Sequence, residues 1–518
     1  MPRRTDRKTT VLTTSKVQLD GHGNSLTQAV LRRALGDSYT LREIDVTTEV
    51  LTHLDTADWR LRRGGIDLAF VPGSGQLVAH RGSSRVVQPA GSMAWPALIS
   101  AIPEGPVRDL IQGEVWVRAL LPFATSQDRC RSFAVLNEDA KTVARVRWRQ
   151  GSVRAPVKRR LPIRLQVESL RGYAVDAATV ERLLTTTTPL SATTDTWADP
   201  IWEAIPGLGP DATKRFGMQR DQAADLAVAD ALLGFLAEME ANVEGIVADI
   251  DTEYLHKFRV AVRRTRSLLK LLGDVLPDGL AQRMAKEFRR LGDVTSPTRD
   301  LDVYLLSIDE LAQLVSRPAG LDAFDAHVRM RRSAEHRTLQ RALRSARFVR
   351  LCADWRPDLA AVMSAPTRHR ETAAQLADER LHRVFRKATK SAKAITRESP
   401  SEQVHSLRKT CKEMRYLLEV FEPLCNPQAY NDVITDFKEL QGVLGDFQDG
   451  EVQAAALREF AKEMMAAGSV DADTLLAMGE LSARFEGRQR RARDVLTKRH
   501  EKFLGKRAAA HVDRLLQE

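Results

Sequence analysis

Two segments of this sequence share one pattern: HKFRVAVRRTRSLLK at 256–270 and HSLRKTCKEMRYLLE at 405–419. Each begins with a histidine and places basic residues three, seven and ten positions later, and 149 residues separate the two histidines. An α-helix turns about 100° per residue, so these positions share one helix face. We call the two faces the first stripe and the second stripe. Their members are His256, Arg259, Arg263, Arg266 and Lys270 in the first, and His405, Arg408, Lys412 and Arg415 in the second.

The opposite faces of both predicted helices are apolar at matching offsets from the histidine. They hold Phe258, Val262, Thr265, Leu269 and Leu272 in the first copy, and Leu407, Cys411, Met414, Leu418 and Phe421 in the second. Downstream, both copies carry Leu-Gly-Asp and then two acidic residues. Such an echo indicates an internal duplication, which predicts two related helical bundles of four helices each.

Like charges stacked on one helix face repel each other, so each stripe needs either acidic neighbours or an anionic ligand. The acidic candidates are Asp300 and Asp302 after the first stripe, and Asp449 and Glu451 after the second. Basic residues outnumber these acids, which favours an anionic ligand. A third basic run at 381–397 has helical spacing and joins the predicted binding set, although a solvated surface is an equal alternative. Its predicted binding residues are Arg383, Arg386 and Lys390.

The composition favours an acidic partner. The 518 residues carry 79 Lys+Arg against 68 Asp+Glu, a net charge of +11. This balance suits nucleic acid, an anionic membrane surface or a phosphate polymer, while a basic protein without such a ligand is the alternative. A hydrophobic content of 43% excludes a disordered chain.

The cysteines and the amino-terminal residues indicate the cellular compartment. Cys130, Cys352, Cys411 and Cys425 form no CxxC pair, which predicts reduced thiols in the cytoplasm and no zinc site. The first residues lack the apolar core of a signal peptide. No run of about 18 apolar residues predicts a membrane span.

The chain changes rhythm near residue 190. Residues 1–190 contain short alternating segments such as EVWVRALLPF and TVARVRWRQ, which predict an α+β domain dominated by antiparallel strands. Thr, Pro and Gly crowd 191–218, which predicts a linker. Amphipathic segments over 219–516 predict an all-α domain of eight to ten helices. The predicted helix breaks are PDG, TSPTRD, SRPAG, SAPT, ESPSE and CNPQ.

The repeated segments, with RDLDVYL and LQGVLGDFQD downstream, resemble the two halves of the CHAD domain, an α-helical family named for its histidines. The resemblance implies two four-helix bundles related by a pseudo-twofold axis, and binding of inorganic polyphosphate through the repeated basic helices. It assigns that binding to the stripe residues, with Arg264 and Lys409 beside them. Glu419 stands where the first copy has Lys270, so the second stripe is shorter.

The amino-terminal segment resembles a CYTH domain, a closed antiparallel barrel whose tunnel binds triphosphate and a divalent metal. The opening strand of that family carries Glu-x-Glu-x-Lys. Here VLTTSKVQLD places Lys16 at the lysine position and Leu12 and Thr14 at the two acidic positions. Mg²⁺ needs carboxylate ligands, which these two side chains cannot supply.

A second CYTH-like segment, HLDTADWRLRRGGIDLAF at 53–70, retains part of the family pattern. Ala69 stands where the tunnel arginine is expected, and a later strand retains one acid, Glu168. The matching positions are Asp55, Thr56, Leu61, Gly64 and Leu68. Basic residues that can hold an anion, or lie in solvent, are Arg60, Arg62, Arg63, Arg145, Arg147, Lys158, Arg159 and Arg160.

The sequence thus predicts a divergent CYTH-like domain at 1–190, a linker at 191–218 and a CHAD domain at 219–516. The predicted function is binding of inorganic polyphosphate, with no cofactor, metal or catalytic residue, and cytoplasmic polyphosphate granules are a candidate location. Two alternatives stay open: a triphosphate or polyphosphate hydrolase that uses the barrel, and a nucleic-acid-binding protein. The missing acids argue against the first. Trp and Tyr do not interleave with the stripes, which argues against base stacking in the second.

Overall fold

The chain divides into two compact units, Met1–Thr213 and Lys214–Glu518, which we call the sheet unit and the helical unit. The computed structural model describes residues 16–21, 26–82, 84–194, 196, 198–206, 217–366 and 371–517. The predicted fold class is confirmed, because an antiparallel sheet is followed by an all-helical region. Leu12 and Thr14, the positions of the expected CYTH acids, lie outside the described residues.

The sheet unit is built on antiparallel strands. The strands are β1 (Lys16–Gly21), β2 (Thr40–Thr56), β3 (Ile66–Val71), β4 (Gln76–Arg81), β5 (Ser84–Pro89), β6 (Leu120–Leu136), β7 (Thr142–Ala155), β8 (Arg159–Arg160), β9 (Ile163–Ser169) and β10 (Ser191–Ala192). Their order is β10-β1-β9-β7-β6-β2-β3-β4-β5, with β8 beside β7. The helices are α1 (Gln28–Leu35), α2 (Arg60–Arg63), α3 (Pro106–Val115), α4 (Ala174–Thr187) and α5 (Asp199–Ala204).

Helices cover the two ends of the sheet. α1 and α4 pack on apolar residues of β1, β6, β7 and β9, and α2 and α3 pack on β2, β3 and β4. The sheet also curls, since Arg85 of β5 lies within electrostatic reach of Arg147 on β7, although four strands lie between β5 and β7. Asp67 of β3 is similarly close to Arg164 of β9. This curvature agrees with the barrel-like shape that the sequence predicts.

Residues 191–206 belong to the sheet unit, although the sequence predicts a linker there. β10 pairs with β1, and α5 buries Ile201 against β6 and β7. Trp202 stacks on Phe123 with ring centroids 4.4 Å apart, and the Arg62 guanidinium pairs with Asp199 at 2.5 Å. A run of Thr, Pro and Gly shows only that the alternating pattern of a strand or the periodicity of a helix has ended. It does not indicate whether the segment packs against the preceding domain.

The helical unit contains ten α-helices within its described residues. They are α6 (Ala224–Val247), α7 (Thr252–Leu271), α8 (Leu280–Ala312), α9 (Asp322–Leu343), α10 (Ala346–Ser364), α11 (Ala373–Lys393), α12 (Ser401–Phe421), α13 (Pro427–Ala466), α14 (Ala472–Leu504) and α15 (Lys506–Asp513). We call α6–α10 the first repeat and α11–α15 the second repeat. Each repeat thus has a fifth helix beyond the four that the sequence pattern predicts.

Backbone hydrogen bonds reveal a pseudo-twofold axis between the repeats. Ala223 forms an isolated antiparallel bridge with Thr372, and these positions are 149 residues apart, the same spacing as the two histidines. The Ala224 N–H donates to the Glu371 carbonyl, and the Ala373 N–H donates to the Gln222 carbonyl. Each bond is the other shifted by 149 residues, as expected for a contact between two equivalent surfaces.

One predicted helix break is wrong, because α8 continues through TSPTRD with Pro297 in its interior. Proline removes one backbone hydrogen bond and costs about 3 kcal/mol in a helix. Leu291 and Leu301 are buried on either side of it, and Thr295 and Thr298 are buried between them. Packing along the whole helix therefore outweighs the local cost, which a reading of the sequence alone does not include.

The apolar cores join the two repeats. The larger core combines α6, α7 and α10 with α11, α12 and α15. The smaller core combines the second half of α8 and the start of α9 with the equivalent parts of α13 and α14. The repeats are therefore packed together along both cores, which fixes α7 and α12 against each other.

Candidate anion-binding site

The two stripes lie on α7 and α12, as predicted. The Asp251 carboxylate caps α7 by accepting hydrogen bonds from the N–H groups of Glu253 and Tyr254. All ten residues of the two predicted apolar faces are buried. Burial of these faces leaves both basic stripes on the outward side of their helices, where their side chains are half-buried or exposed.

Two arginines of the first stripe lie against α8. The Arg259 guanidinium donates hydrogen bonds to the Gly292 carbonyl at 3.2 Å and to the hydroxyls of Thr295 and Ser296 at 2.8 and 2.9 Å. An Arg266 nitrogen lies 2.5 Å from where a Cβ on Gly292 would be. The glycine of the Leu-Gly-Asp motif therefore makes room for a stripe arginine.

Arg299 of α8 joins the first stripe, although the sequence analysis did not select it. Burial, followed by the positive charges of Arg299, Arg263 and Arg259, lowers the pKa of His256 to about 4. Burial also lowers the pKa of Arg299 itself. The sequence signal for Arg299 is the segment RDLD at 299–302, in which this arginine directly precedes the acidic candidates Asp300 and Asp302. With this pKa, His256 is neutral at pH 7.

The second stripe contacts its own acids. The Arg408 guanidinium lies 3.6 Å from the Asp449 carboxylate, and His405 Nε2 lies 3.4 Å from Glu451. Arg415 pairs with Glu419 at 2.7 Å. These contacts match the acidic candidates that the sequence places after the second stripe.

The two stripes meet at Arg263 and Lys412. Burial, followed by the charges of Arg408 and Arg263, lowers the pKa of Lys412 to about 8. Arg263 belongs to the first repeat, so its effect places the two stripes side by side. The neighbouring cations add to the effect of burial on this pKa, and the Asp449 carboxylate opposes them.

Reciprocal ion pairs hold α7 against α12. Arg264, eight residues after its histidine, pairs with Glu419, fourteen residues after the other histidine, at 2.7 Å. Lys270, at position fourteen of its segment, pairs with Glu413, at position eight of the second. The two contacts are related by the pseudo-twofold axis, with both cations in the first repeat. Arg264 and Lys270 therefore serve this contact between helices.

The remaining predicted residues are more peripheral. Lys409 is exposed on α12, and Arg383, Arg386 and Lys390 are exposed on α11. Arg383 pairs with Glu379 of its own helix. The third run approaches the stripes through a residue that was not predicted, since Lys387 lies 3.6 Å from Glu413, the partner of Lys270.

In the sheet unit, Asp55 of the CYTH-like segment has a structural role. Asp55 accepts hydrogen bonds from the N–H groups of Thr56, Leu61 and Arg62, which start α2. Burial raises the pKa of Asp55 to about 6. Arg60 and Arg62 pair with Asp58 and Asp199.

The other basic candidates of the sheet unit are exposed. Arg159 and Arg160 line an open cavity of about 840 Å³ together with Arg129 and Arg154. Arg63, Arg145, Arg147 and Lys158 lie on the surface of the unit. Within the described residues, no three His, Cys, Asp or Glu side chains are grouped as metal ligands, and no helix has the length and apolarity to cross a bilayer.

Comparison with known families accounts for the repeated helices. Residues 230–458 match the family model of the CHAD domain. The helical unit is thus similar to a CHAD domain over these residues. Both histidines and both stripes fall within the matched residues, and the antiparallel sheet unit that precedes them is consistent with the CYTH resemblance.

Two curated relatives of this chain come from Mycobacterium tuberculosis. The uncharacterized protein Rv2226 of strain ATCC 25618 / H37Rv is 29% identical over 228 residues, and the uncharacterized protein MT2285 of strain CDC 1551 / Oshkosh is 28% identical over 228 residues. Each match covers 42% of this chain, and the chain spans 42% of the length of each relative.

Two solved structures are similar to the chain. The CHAD domain from the plant Ricinus communis has a TM-score of 0.49 and 24% identity, covering 57% of this chain and 96% of that domain. PptA from Streptomyces chartreusis has a TM-score of 0.41 and 16% identity, covering 56% of this chain and 99% of that protein.

Proposed function

We propose that the helical unit binds inorganic polyphosphate along a path that crosses from the first stripe to the second. The observation that carries this proposal is a cluster of cations from both repeats that meet without an equal number of carboxylates. The cations are Arg259, Arg263, Arg266, Arg299, Arg408, Lys412 and Arg415, and the neutral His256 lies among those of the first stripe. The match of residues 230–458 to the CHAD family model supports a polyphosphate-related role at the level of the family.

The arrangement suits a linear chain of phosphates. Five residues of one helix face span only about 6 Å of helix axis, which reaches a few phosphates at most. Arginine forks two phosphate oxygens at once, and lysine adds a point charge. Two stripes that meet at Arg263 and Lys412 extend the contact, and the second stripe gains from a high effective concentration of phosphate. Location at polyphosphate granules follows as a prediction.

The test is a titration of the full chain with long-chain polyphosphate, with single- and double-stranded nucleic acid as competitors. We expect polyphosphate to bind, and nucleic acid of equal phosphate concentration to displace it poorly. Binding should weaken steeply with salt, because a bound polyanion releases condensed counterions. An affinity that does not change with salt, or stronger binding of nucleic acid, would contradict the proposal.

The hydrolase alternative is tested separately with the same protein. Phosphate release from tripolyphosphate and long-chain polyphosphate is measured with Mg²⁺ and with Mn²⁺. We expect no release at the rate of typical enzymes, about 10 per second. Release at that rate would assign catalysis to the chain, and its loss on replacing Glu168 would place it in the sheet unit.

A further inference from the structure

The two stripes differ in how many of their cations are neutralised within the protein. Among the ion pairs of the described residues, none joins His256, Arg259, Arg263, Arg266 or Arg299 to a carboxylate. In the second repeat, Arg408, His405 and Arg415 each face one. Lys270 pairs with Glu413, and Asp300 acts on Arg259 and Arg299 without forming an ion pair. The other cations of the first stripe therefore present most of their charge to a ligand, while three residues of the second stripe each face a carboxylate.

The cause lies in one pair of equivalent acids. Asp302 and Glu451 are 149 residues apart, but Asp302 is fully buried and accepts a hydrogen bond from Arg332 at 2.9 Å. Arg332 also pairs with Asp249. The position equivalent to Arg332 is Leu481, which is buried in the smaller core. Glu451 has no such arginine, and it faces His405 instead.

A second difference adds a cation to the first repeat. Arg299 lies beside the first stripe. Its Nη1 atom and the Nε atom of Arg263 are both buried, and neither forms a hydrogen bond. The position equivalent to Arg299 is Gln448. Unsatisfied guanidinium groups in a buried setting are costly, and phosphate oxygens would satisfy them.

We infer that the first stripe with Arg299 is the primary phosphate-binding half, and that Asp449 and Glu451 occupy phosphate positions in the second half. This inference rests on the proposed function. A short ligand binds the first half and leaves the second half closed by its own acids. A long chain reaches the second half at high effective concentration and displaces them. The two acids thus act as specificity-determining residues that favour long chains.

The closing experiment neutralises each acid in the full chain and measures binding of tripolyphosphate and long-chain polyphosphate. The variants are Asp449→Asn and Glu451→Gln. The matched control is Glu459→Gln, which removes the same charge from an exposed site of α13 whose carboxylate pairs with Lys462. We expect affinity for the long chain to rise about twofold to fivefold per acid beyond the control, as for one partly exposed charge contact. Affinity for tripolyphosphate should match the control.

A reverse exchange gives a second readout. Arg299→Gln makes the first repeat resemble the second, and we expect it to weaken tripolyphosphate and long-chain polyphosphate alike. Equal gains for both ligands in the acid variants, or gains no larger than in Glu459→Gln, would overturn the inference and leave the proposed function standing. A wild-type protein that binds neither ligand would overturn both.

Discussion

The sheet unit and the helical unit treat their buried cations in different ways. In the sheet unit, Arg118 is 1% exposed and donates to Asp58, Arg149 donates to Asp128, and Arg164 donates to Asp20. In the helical unit, the half-buried cations of the first stripe meet one another and neutral groups of α8, and Asp300 acts on two of them without an ion pair. Removing the carboxylate from a buried pair destabilises the fold, whereas clustered cations with few carboxylates are suited to an external anion.

The largest expected effect tests the structural half of this comparison. Replacing Asp58 by Ala removes the carboxylate to which the buried Arg118 donates, and we expect the free energy of unfolding of the sheet unit to fall by about 3–5 kcal/mol. Chemical denaturation followed by circular dichroism measures this loss. Polyphosphate affinity under native conditions should not change. If the variant lost polyphosphate affinity as well as stability, the Asp58 pair would contribute to binding and would not be purely structural.

The next effect tests the binding half. Replacing Arg259, Arg263 and Arg266 by Ala should weaken long-chain polyphosphate by at least about 100-fold, since each charge-assisted hydrogen bond contributes about 1.5–3 kcal/mol. Titration calorimetry measures the affinity, with circular dichroism as the check on folding. The matched control removes three exposed arginines of the α9 region, Arg337, Arg341 and Arg344. Equal losses of affinity in the two variants would mean that the stripe contributes only as general surface charge and not as a binding site.

A pH series sharpens the comparison at the meeting point of the stripes. The pKa of Lys412 is about 8, below its ordinary value of 10.5, because of burial and its cationic neighbours. A bound polyanion favours protonated lysine, so affinity should be constant below pH 8 and fall above it by at most about tenfold per pH unit. Lys412→Arg keeps its charge and should remove this fall. A fall of the same size in that variant would assign it to other groups.

The same pKa gives the opposite trend for stability without ligand. Between about pH 8 and the ordinary value of 10.5, the unfolded chain binds a proton on Lys412 that the folded protein does not. The contribution of Lys412 to the free energy of unfolding therefore rises with pH over this range. Comparing wild type with Lys412→Met by denaturation at several pH values isolates that contribution. A contribution that falls with pH would mean that Lys412 has an acidic partner.

The smallest expected effect concerns the contact between the repeats. Glu419→Gln removes the charge that pairs with Arg264, and we expect the free energy of unfolding to fall by about 0.5–1 kcal/mol, the range for a partly exposed pair. The double variant Arg264→Gln with Glu419→Gln should lose little more than the single variant. Strict additivity of the two losses would indicate that the ion pair does not hold α7 against α12.

Much of the helical unit could be predicted because its signals are local. The apolar faces of α7 and α12, the basic stripes and the 149-residue repeat all follow from periodicity, and the structure places each of them as expected. Periodicity does not report how much packing a helix gains along its length. For this reason Pro297 predicted a break that α8 does not have, and the fifth helix of each repeat was not predicted.

The sequence by itself determined which side chains share a helix face, since spacing along one helix fixes direction around its axis. Only the tertiary structure decided which faces meet. The crossing of α7 and α12 puts Arg263 beside Lys412 and pairs Arg264 with Glu419. The packing of α9 on α8 allows Arg332 to donate a hydrogen bond to Asp302, while the equivalent Glu451 faces His405. Charge interactions depend on distance in space, and residues far apart in sequence reach that distance only when the helices pack.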